Sequence, residues 1–546
     1  MGEMIRGQLA DVHERKIYPA EIEVVNGKIF AIRKIKEAPD CLLMPGLVDA
    51  HIHIESSMLP PSEFAPMALL HGTLATVSDP HEIANVLGKE GVEWMAENGK
   101  DAPLHFHFGA PSCVPATGFE TAGASLQVHE IQALFESGTC HYLAEMMNWP
   151  GVLHGDEEVM AKIRLSRSMG KPVDGHAPGL RGYQAKQYFS AGIETDHECF
   201  TLAEALDKAL LGVKILIREG SAARNFDDLI EIIRHYPAQV MFCSDDKHPD
   251  DLVLGHINLL VARALKKGYD FFDVLRAASL NPVRHYGLPI GLLQEGDSAD
   301  FIVVESPETM KVLETWRNGN QICAQGRCQW SPKPVQDLPN RFIPSFPEES
   351  AYYISAKSRE TTCVQCIEAI EGQLITKRKE VWLEVKDGFI SANPEEDVLH
   401  ISVVNRYRNA PPANAFISGF GFSEGAIASS VAHDSHNVVA VGTSPIWLKK
   451  AVDLIMQHQG GIAVVNAVES WVLPLPVAGL MSDQAGTEVA AAYEKLNEVC
   501  RKMGATPKAP FMLLSFMALL VIPELKLSDK GLFDGLKFEF TGVETV

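Results

Sequence analysis

Two histidines one residue apart, His51 and His53, close the apolar stretch "PGLVDAHIHIESSM" at 45–58. In an extended strand side chains alternate with period two, so both imidazoles point to one side and can bind one metal ion. A His-x-His pair is also an ordinary polar strand end, and the chain carries a second one, His105-Phe106-His107. Downstream stand more residues of the same chemical kind: Glu145, His176, His197 and Asp245. Brought to one place with His51 and His53, they make four imidazoles and two carboxylates. A catalytic site for one ion uses three protein ligands and a water. Six ligands, one a carboxylate able to bridge, suit two ions that share and activate a water. Nitrogen and oxygen donors without thiolate suit Zn, Mn or Fe.

Eight apolar runs of β-type composition can position these residues. They lie at 42–54, 73–80, 104–111, 140–147, 172–178, 192–198, 214–220 and 239–246. Stretches of helical composition, such as "HEIANVLGKEGVEWMAENGK" and "DEEVMAKIRLSRSMG", separate most of them. Eight strand–helix units predict an α/β fold, a (β/α)8 TIM-like barrel. The runs end in His51 and His53; Asp79 and His81; Glu145; His176; His197; Arg218 and Glu219; Asp245 and Asp246. Barrel enzymes build their sites from these C-terminal strand ends. Residues 21–33 read as two strands joined by a turn at Asn26-Gly27, and 287–305 also end in a strand. The expected division is a composite β-domain from 1–44 and 287–335, a barrel at 45–286 and a C-terminal α+β domain at 350–546. A linker at 331–350 carries five prolines.

A net charge of −22 argues against a nucleic-acid or anionic-membrane partner, which needs a basic face. Ten cysteines in 546 residues are too few for a disulfide scaffold, and "MGEMIRGQLADVHERK" lacks an apolar signal core. A reduced, cytoplasmic setting is expected. The longest apolar run, "FMLLSFMALLVI" at 511–522, is shorter than the roughly 20 residues that span a bilayer. It reads as a buried helix or strand. Cys363/Cys366 and Cys323/Cys328 differ in spacing and read as buried or free thiols. "GFGFSEG" lacks dinucleotide-binding spacing and reads as a turn. "DPHEIANV" places Asp79, His81 and Glu82 either at a helix start, where the dipole favours acids, or in the site. "AHDSHN" places His433, Asp434 and His436 in the C-terminal domain, either over the barrel mouth or in a polar turn.

"PGLVDAHIH", the eight-run layout, "SLNPVRHYGL" and "GLLQEGDSADFIVVE" resemble the metal-dependent amidohydrolase superfamily. Within it, "HIHIESSM", "DPHEIANV", "AEMMNWPGV", "DGHAPGL", "IREGSAARN" and "SDDKHPDDL" resemble the bacterial adenine deaminases. So do "GFSEGAIASSVAHDSHNVVAVG" and "LPLPVAGLMSD", and the likeness covers nearly the whole chain. It implies hydrolysis of adenine, the small-molecule partner, to hypoxanthine and ammonia at a site of two divalent ions. Manganese is the expected metal, ahead of iron or zinc, and a homodimer the expected assembly. Position by position, His51 and His53 hold the first ion, and His176 and His197 the second. Many relatives bridge the ions with a carboxylated lysine; "CHYLAEMM" has no lysine, so Glu145 is the expected bridge. Asp245 takes the proton of a metal-activated water as it attacks C6, then passes it to ammonia. Asp245, Glu145 and His197 are thus the expected catalytic set, and Asp246 either competes with Asp245 for the water or orients its loop. Ring nitrogen N1 gains its proton from Glu145, His81 or Glu82. His81, Glu82, Glu55 and Arg218 are expected at the purine, with Arg218 alternatively bound to the metal-site carboxylates or in an inter-strand salt bridge. The alternative is another hydrolase of the superfamily, cleaving a cyclic amide or imide. A non-catalytic binding protein is disfavoured by the complete ligand set.

Overall fold

Strands form at all eight runs: Leu47–Ile52, Thr73–Ser78, His105–Ala110, Tyr142–Met146, Val173–Gly175, Thr195–Asp196, Lys214–Arg218 and Val240–Cys243. The structure is a computed structural model and describes residues 2–221 and 223–545. Every residue of Leu47–Ile52, Thr73–Ser78 and Val240–Cys243 is buried, as expected of parallel strands covered on both faces. The first five strands pair in chain order, and so do the last three. The two sheets meet where Glu194 N donates to Val173 O at 2.9 Å. A parallel bridge between Ile52 and Asp245 closes the ring. Val48, Ala50, Val77, Ala144, Leu216 and Met241 fill the interior, making it a packed barrel rather than a pore.

Some helices begin on side-chain caps. Asp156 accepts from Val159 N at 3.0 Å at the start of Glu157–Ser168, and Thr201 accepts from Glu204 N at the start of Leu202–Ala209. Each such cap contributes about 1 kcal/mol by satisfying an N–H that the helix leaves free.

The first run is two strands rather than one. Gly46 divides it, because a β-carbon there would sit 2.1 Å from the Leu74 side chain. Leu42–Pro45 leaves the barrel for a second sheet, parallel to Glu3–Asp11 and antiparallel to Phe301–Val304. That eight-stranded sheet joins segments from before and after the barrel. Its hairpin of Lys16–Val25 and Lys28–Lys34 turns on Asn26 and Gly27, both at positive φ, which the tightest hairpin turn requires.

Residues 329–348 contain no helix or strand. Beyond them a nine-stranded sheet, Thr361 to Pro474, packs the helix Pro445–His458 on one face. Of the run at 511–522, only Pro510–Ser515 continues as helix; the rest is turns, and nearly all of it is buried. Among the described residues no helix is long and apolar enough to cross a membrane, and all ten cysteines are free.

Candidate active site

Strict alternation would put Asp49, His51 and His53 on one face. The pairing of their strand with Thr73–Ser78 slips between Asp49 and Ile52, an irregularity of the kind that re-aims side chains. Asp49 is bound to Ser244 N at 3.0 Å and His256 Nε2 at 2.7 Å. His51 and His53 face the barrel mouth. His53 Nδ1 lies 3.0 Å from the carbonyl oxygen of Asp79, an acceptor. Nδ1 therefore carries the proton, and Nε2 turns its lone pair to the mouth.

Four histidines converge on two carboxylates there. His53 Nε2 is 3.3 Å from Glu145 Oε1 and 3.2 Å from Asp245 Oδ1, and His51 Nε2 is 3.5 Å from the same Asp245 oxygen. On the other side Glu145 Oε2 is 2.6 Å from His176 Nδ1 and 3.2 Å from His197 Nε2. Glu145 thus gives one oxygen to each histidine pair. Two triads, His51–His53–Asp245 and His176–His197–Glu198, each gather their donor atoms within 4.8 Å. His51 Nε2 is buried and has no hydrogen-bond partner among the described residues. A buried imidazole lone pair facing carboxylate oxygens is repulsive unless a cation or a proton lies between them. The nitrogen and oxygen donors therefore fit divalent ions.

Asp245 is held in two ways. Its φ of 56° is uncommon for a residue with a side chain and costs on the order of 1 kcal/mol. Two backbone bonds maintain it, Asp245 N to His51 O at 2.9 Å and His53 N to Asp245 O at 3.2 Å. Its Oδ2 accepts from Arg218 Nη1 at 2.6 Å. Burial opposes ionisation of Asp245, but Arg218, then His51 and His53, keep it well below the usual carboxylate range. Burial likewise works to lower His197, but hydrogen bonding to Glu145 and the charges of Glu145, Glu198 and Asp245 bring it up to about 9.

The other expected residues divide. His81 and Glu82 line the cleft, and His81 Nδ1 is 3.5 Å from Glu145 Oε1. Both Nη atoms of Arg218 go to carboxylates of the mouth, Glu198 and Asp245. Glu55 Oε1 accepts from Ile83 N at 3.2 Å, beneath the first turn of His81–Leu87. Burial pushes its carboxyl up to about 7. Asp246 lines the cleft and accepts from Ser56 Oγ at 2.5 Å, the role that "ESSM" plays in the site. The sequence reading missed Glu198, which pairs with Arg218 and lies 3.4 Å from His197 Nε2. Its position directly after His197 was the available signal.

The C-terminal domain roofs the cleft with Leu374, His433, Asp434, Phe516 and Leu519. Glu82 holds the roof: Oε1 bonds His433 Nδ1 and Oε2 bonds His436 Nε2 at 2.5 Å. The His433 and Phe516 rings stack at 4.6 Å. Lys526, fully buried, donates to the carbonyls of two roof residues, Leu374 at 2.7 Å and Phe516 at 2.9 Å. Burial lowers that ammonium to about 7. Burial lifts Asp434 to about 6, against the pull of His81.

Residues 42–322 match the family described as Amidohydrolase family, and residues 373–539 match the Adenine deaminase C-terminal domain. Over 538 residues, 98% of each chain, the sequence is 52% identical to the adenine deaminase of Salinibacter ruber. It is 52% identical to that of Sulfurovum sp. over 539 residues and 47% identical to that of Methanosarcina mazei over 543, again 98% of each chain.

Proposed function

The chain belongs to the adenine deaminase family, and from that premise we propose that it hydrolyses adenine to hypoxanthine and ammonia with the residues at the barrel mouth. The observation that carries the roles is Glu145, with one oxygen turned to each histidine pair. In this reading His51 and His53 would hold one divalent ion and His176 and His197 the other, with Glu145 and Asp245 as the carboxylates of the set. Manganese is the proposed metal. Bound ions of this kind lower the pKa of water toward 7, making hydroxide available near neutral pH.

The chain's own groups handle the protons. Arg218 fixes Oδ2 of Asp245, leaving Oδ1 toward His51 and His53. Ionised at neutral pH, Asp245 takes the proton of the attacking water and returns it to the departing ammonia. Glu82 is engaged by His433 and His436, and Glu145 by the metal-site imidazoles. His81 remains as donor to ring nitrogen N1. Burial works to lower it, but Asp79 and Glu82 hold its pKa well above the ordinary histidine range.

Ammonia release from adenine, adenosine, guanine and cytosine, compared across the Mn²⁺, Fe²⁺ and Zn²⁺ forms, tests the reading. Turnover of adenine with two ions per chain is expected. Ring opening of hydantoin or dihydropyrimidine without adenine turnover would overturn it. We also propose a cytoplasmic homodimer, to be checked by sedimentation. The proposed division of the chain is 1–44 with 287–335, 45–286, and 350–546.

A further inference from the structure

The chain carries two cysteine pairs of different spacing, and the fold treats them differently. Cys363 and Cys366 lie three apart on the single strand Thr361–Ala369. Side chains on a strand alternate faces, so this odd separation turns the two thiols to opposite sides of the sheet. Cys323 and Cys328 lie on the two arms of a hairpin, Asn320–Ala324 and Arg327–Cys328, and are register partners. The turn between the arms is Gln325-Gly326, both at positive φ, which suits the tightest hairpin loop.

The kind of rung decides how close the sulfurs come. One rung farther from the turn, Gln329 N donates to Ile322 O at 2.8 Å. Hydrogen-bonded and non-hydrogen-bonded rungs alternate in an antiparallel pair, so Cys323 and Cys328 form a non-hydrogen-bonded one. Such partners bring their Cα atoms to about 4.5 Å, with the side chains close together. A disulfide spans Cα separations of roughly 4.4–6.8 Å, so the backbone already holds this pair at bridging distance. The two thiols are hydrogen-bonded to each other, a bond that raises Cys323 and holds Cys328 below the ordinary thiol range. Access differs as well. Cys323 is 3% exposed and packs in the core shared with the barrel, while Cys328 is half-buried on the edge strand of the eight-stranded sheet. The thiolate is the reactive form, and it is the more accessible sulfur that reaches it more readily.

We propose that Cys323 and Cys328 are a redox-active pair, closed to a cross-strand disulfide by a low-molecular-weight disulfide such as glutathione disulfide and reopened by the corresponding thiol. The Cys328 thiolate attacks one sulfur of the oxidant, forming a mixed disulfide and releasing one glutathione thiolate, which takes up a proton. Cys323 then gives up its proton, its sulfur displaces the second glutathione, and the Cys323–Cys328 bond closes. The protein loses two electrons and two protons, and the oxidant leaves as two molecules of glutathione. The cross-link pins the hairpin from which the chain departs for the roof, since residues 329–348, which contain no helix or strand, follow directly.

The test equilibrates the folded, metal-loaded chain with glutathione and glutathione disulfide in ratios from fully reducing to fully oxidising. The samples are quenched with acid, unfolded, alkylated and cut with trypsin. Cleavage after Arg327 separates the two cysteines, so the peptide ending at Arg327 and the one beginning at Cys328 stay joined only through the disulfide. The joined pair should rise from almost none to most of the chains as the buffer becomes oxidising, and vanish when it is made reducing again. Cys363 and Cys366 should be alkylated throughout. In Cys323→Ser the mixed disulfide with glutathione should accumulate at Cys328, because the resolving thiol is gone. The proposal is overturned if Cys323 and Cys328 are both alkylated at the oxidising end, or if the unmodified chain stops at the mixed disulfide. It is also overturned if the joined peptides arise only when the chain is unfolded before oxidation.

Discussion

Histidines gather at both ends of this barrel, and the two groups keep different company. At the C-terminal end His51, His53, His176 and His197 face Glu145, Asp245 and Glu198. At the other end His105, His107, His141 and His285 surround Tyr142 and Tyr286, with ring centroids 4.6–6.1 Å apart. The charged groups that act on this lower set are cations: Arg317, Lys171 and Lys214. Burial, aided by these neighbours, lowers His105 and His285 to about 4 and His107 to about 3. The upper set is buried at the strand ends, and the lower set, of which His107 is buried, comes from other strands and from the helix Leu280–Tyr286. Carboxylate company makes one a site for cations and protons, and its lack makes the other neutral packing.

The comparison breaks if the upper carboxylates prove dispensable. Asp245→Asn should cut ammonia release by about 10²–10⁴, the usual cost of losing a positioned base, with metal content unchanged. Glu145→Gln should reduce bound metal from two ions per chain to one or fewer, read by elemental analysis. Arg218→Met should move the acid limb of kcat to higher pH. Arg218 stabilises ionised Asp245, so its removal raises the pH needed to keep that carboxylate as a base.

The lower group makes a prediction of a different kind. Its histidines titrate lower in the folded chain than in the unfolded one, so the unfolded chain binds more protons between about pH 6.5 and 4. Stability conferred by these neutral rings is whole above that window and lost as pH falls through it, by up to about 1.4 kcal/mol per pH unit for each ring. His107→Leu should flatten the acid limb of urea-unfolding stability by one proton. It should change turnover less than about twofold. A large loss of turnover would mean that the lower histidines share in the chemistry.

The same contrast explains what was legible in the sequence. Buried parallel strands read as continuous apolar runs, so all eight were visible, and their polar ends marked the mouth. His51-Ile-His53 and His105-Phe-His107 looked alike because spacing records which face a residue takes, while its neighbours come from other strands. Gly46 hid a strand boundary inside one apolar run, since only the contact with Leu74 requires it. The slip after Asp49 left no trace in period two. Glu198 was passed over beside His197. The roof at 433–436 was beyond local reading, because its barrel partner is 351 positions away.

That separation also sets a clock. At about 5–20 residues per second on the ribosome, roughly 20–70 s pass between the synthesis of Glu82 and that of His433. Every upper histidine and carboxylate, from His51 to Asp245, is made within the first half of the chain. The residues of the mouth are therefore made before those of its cover. Until His433 and His436 are made, Glu82 lacks both of its roof partners, and their arrival supplies the bonds that tie the cover to the barrel.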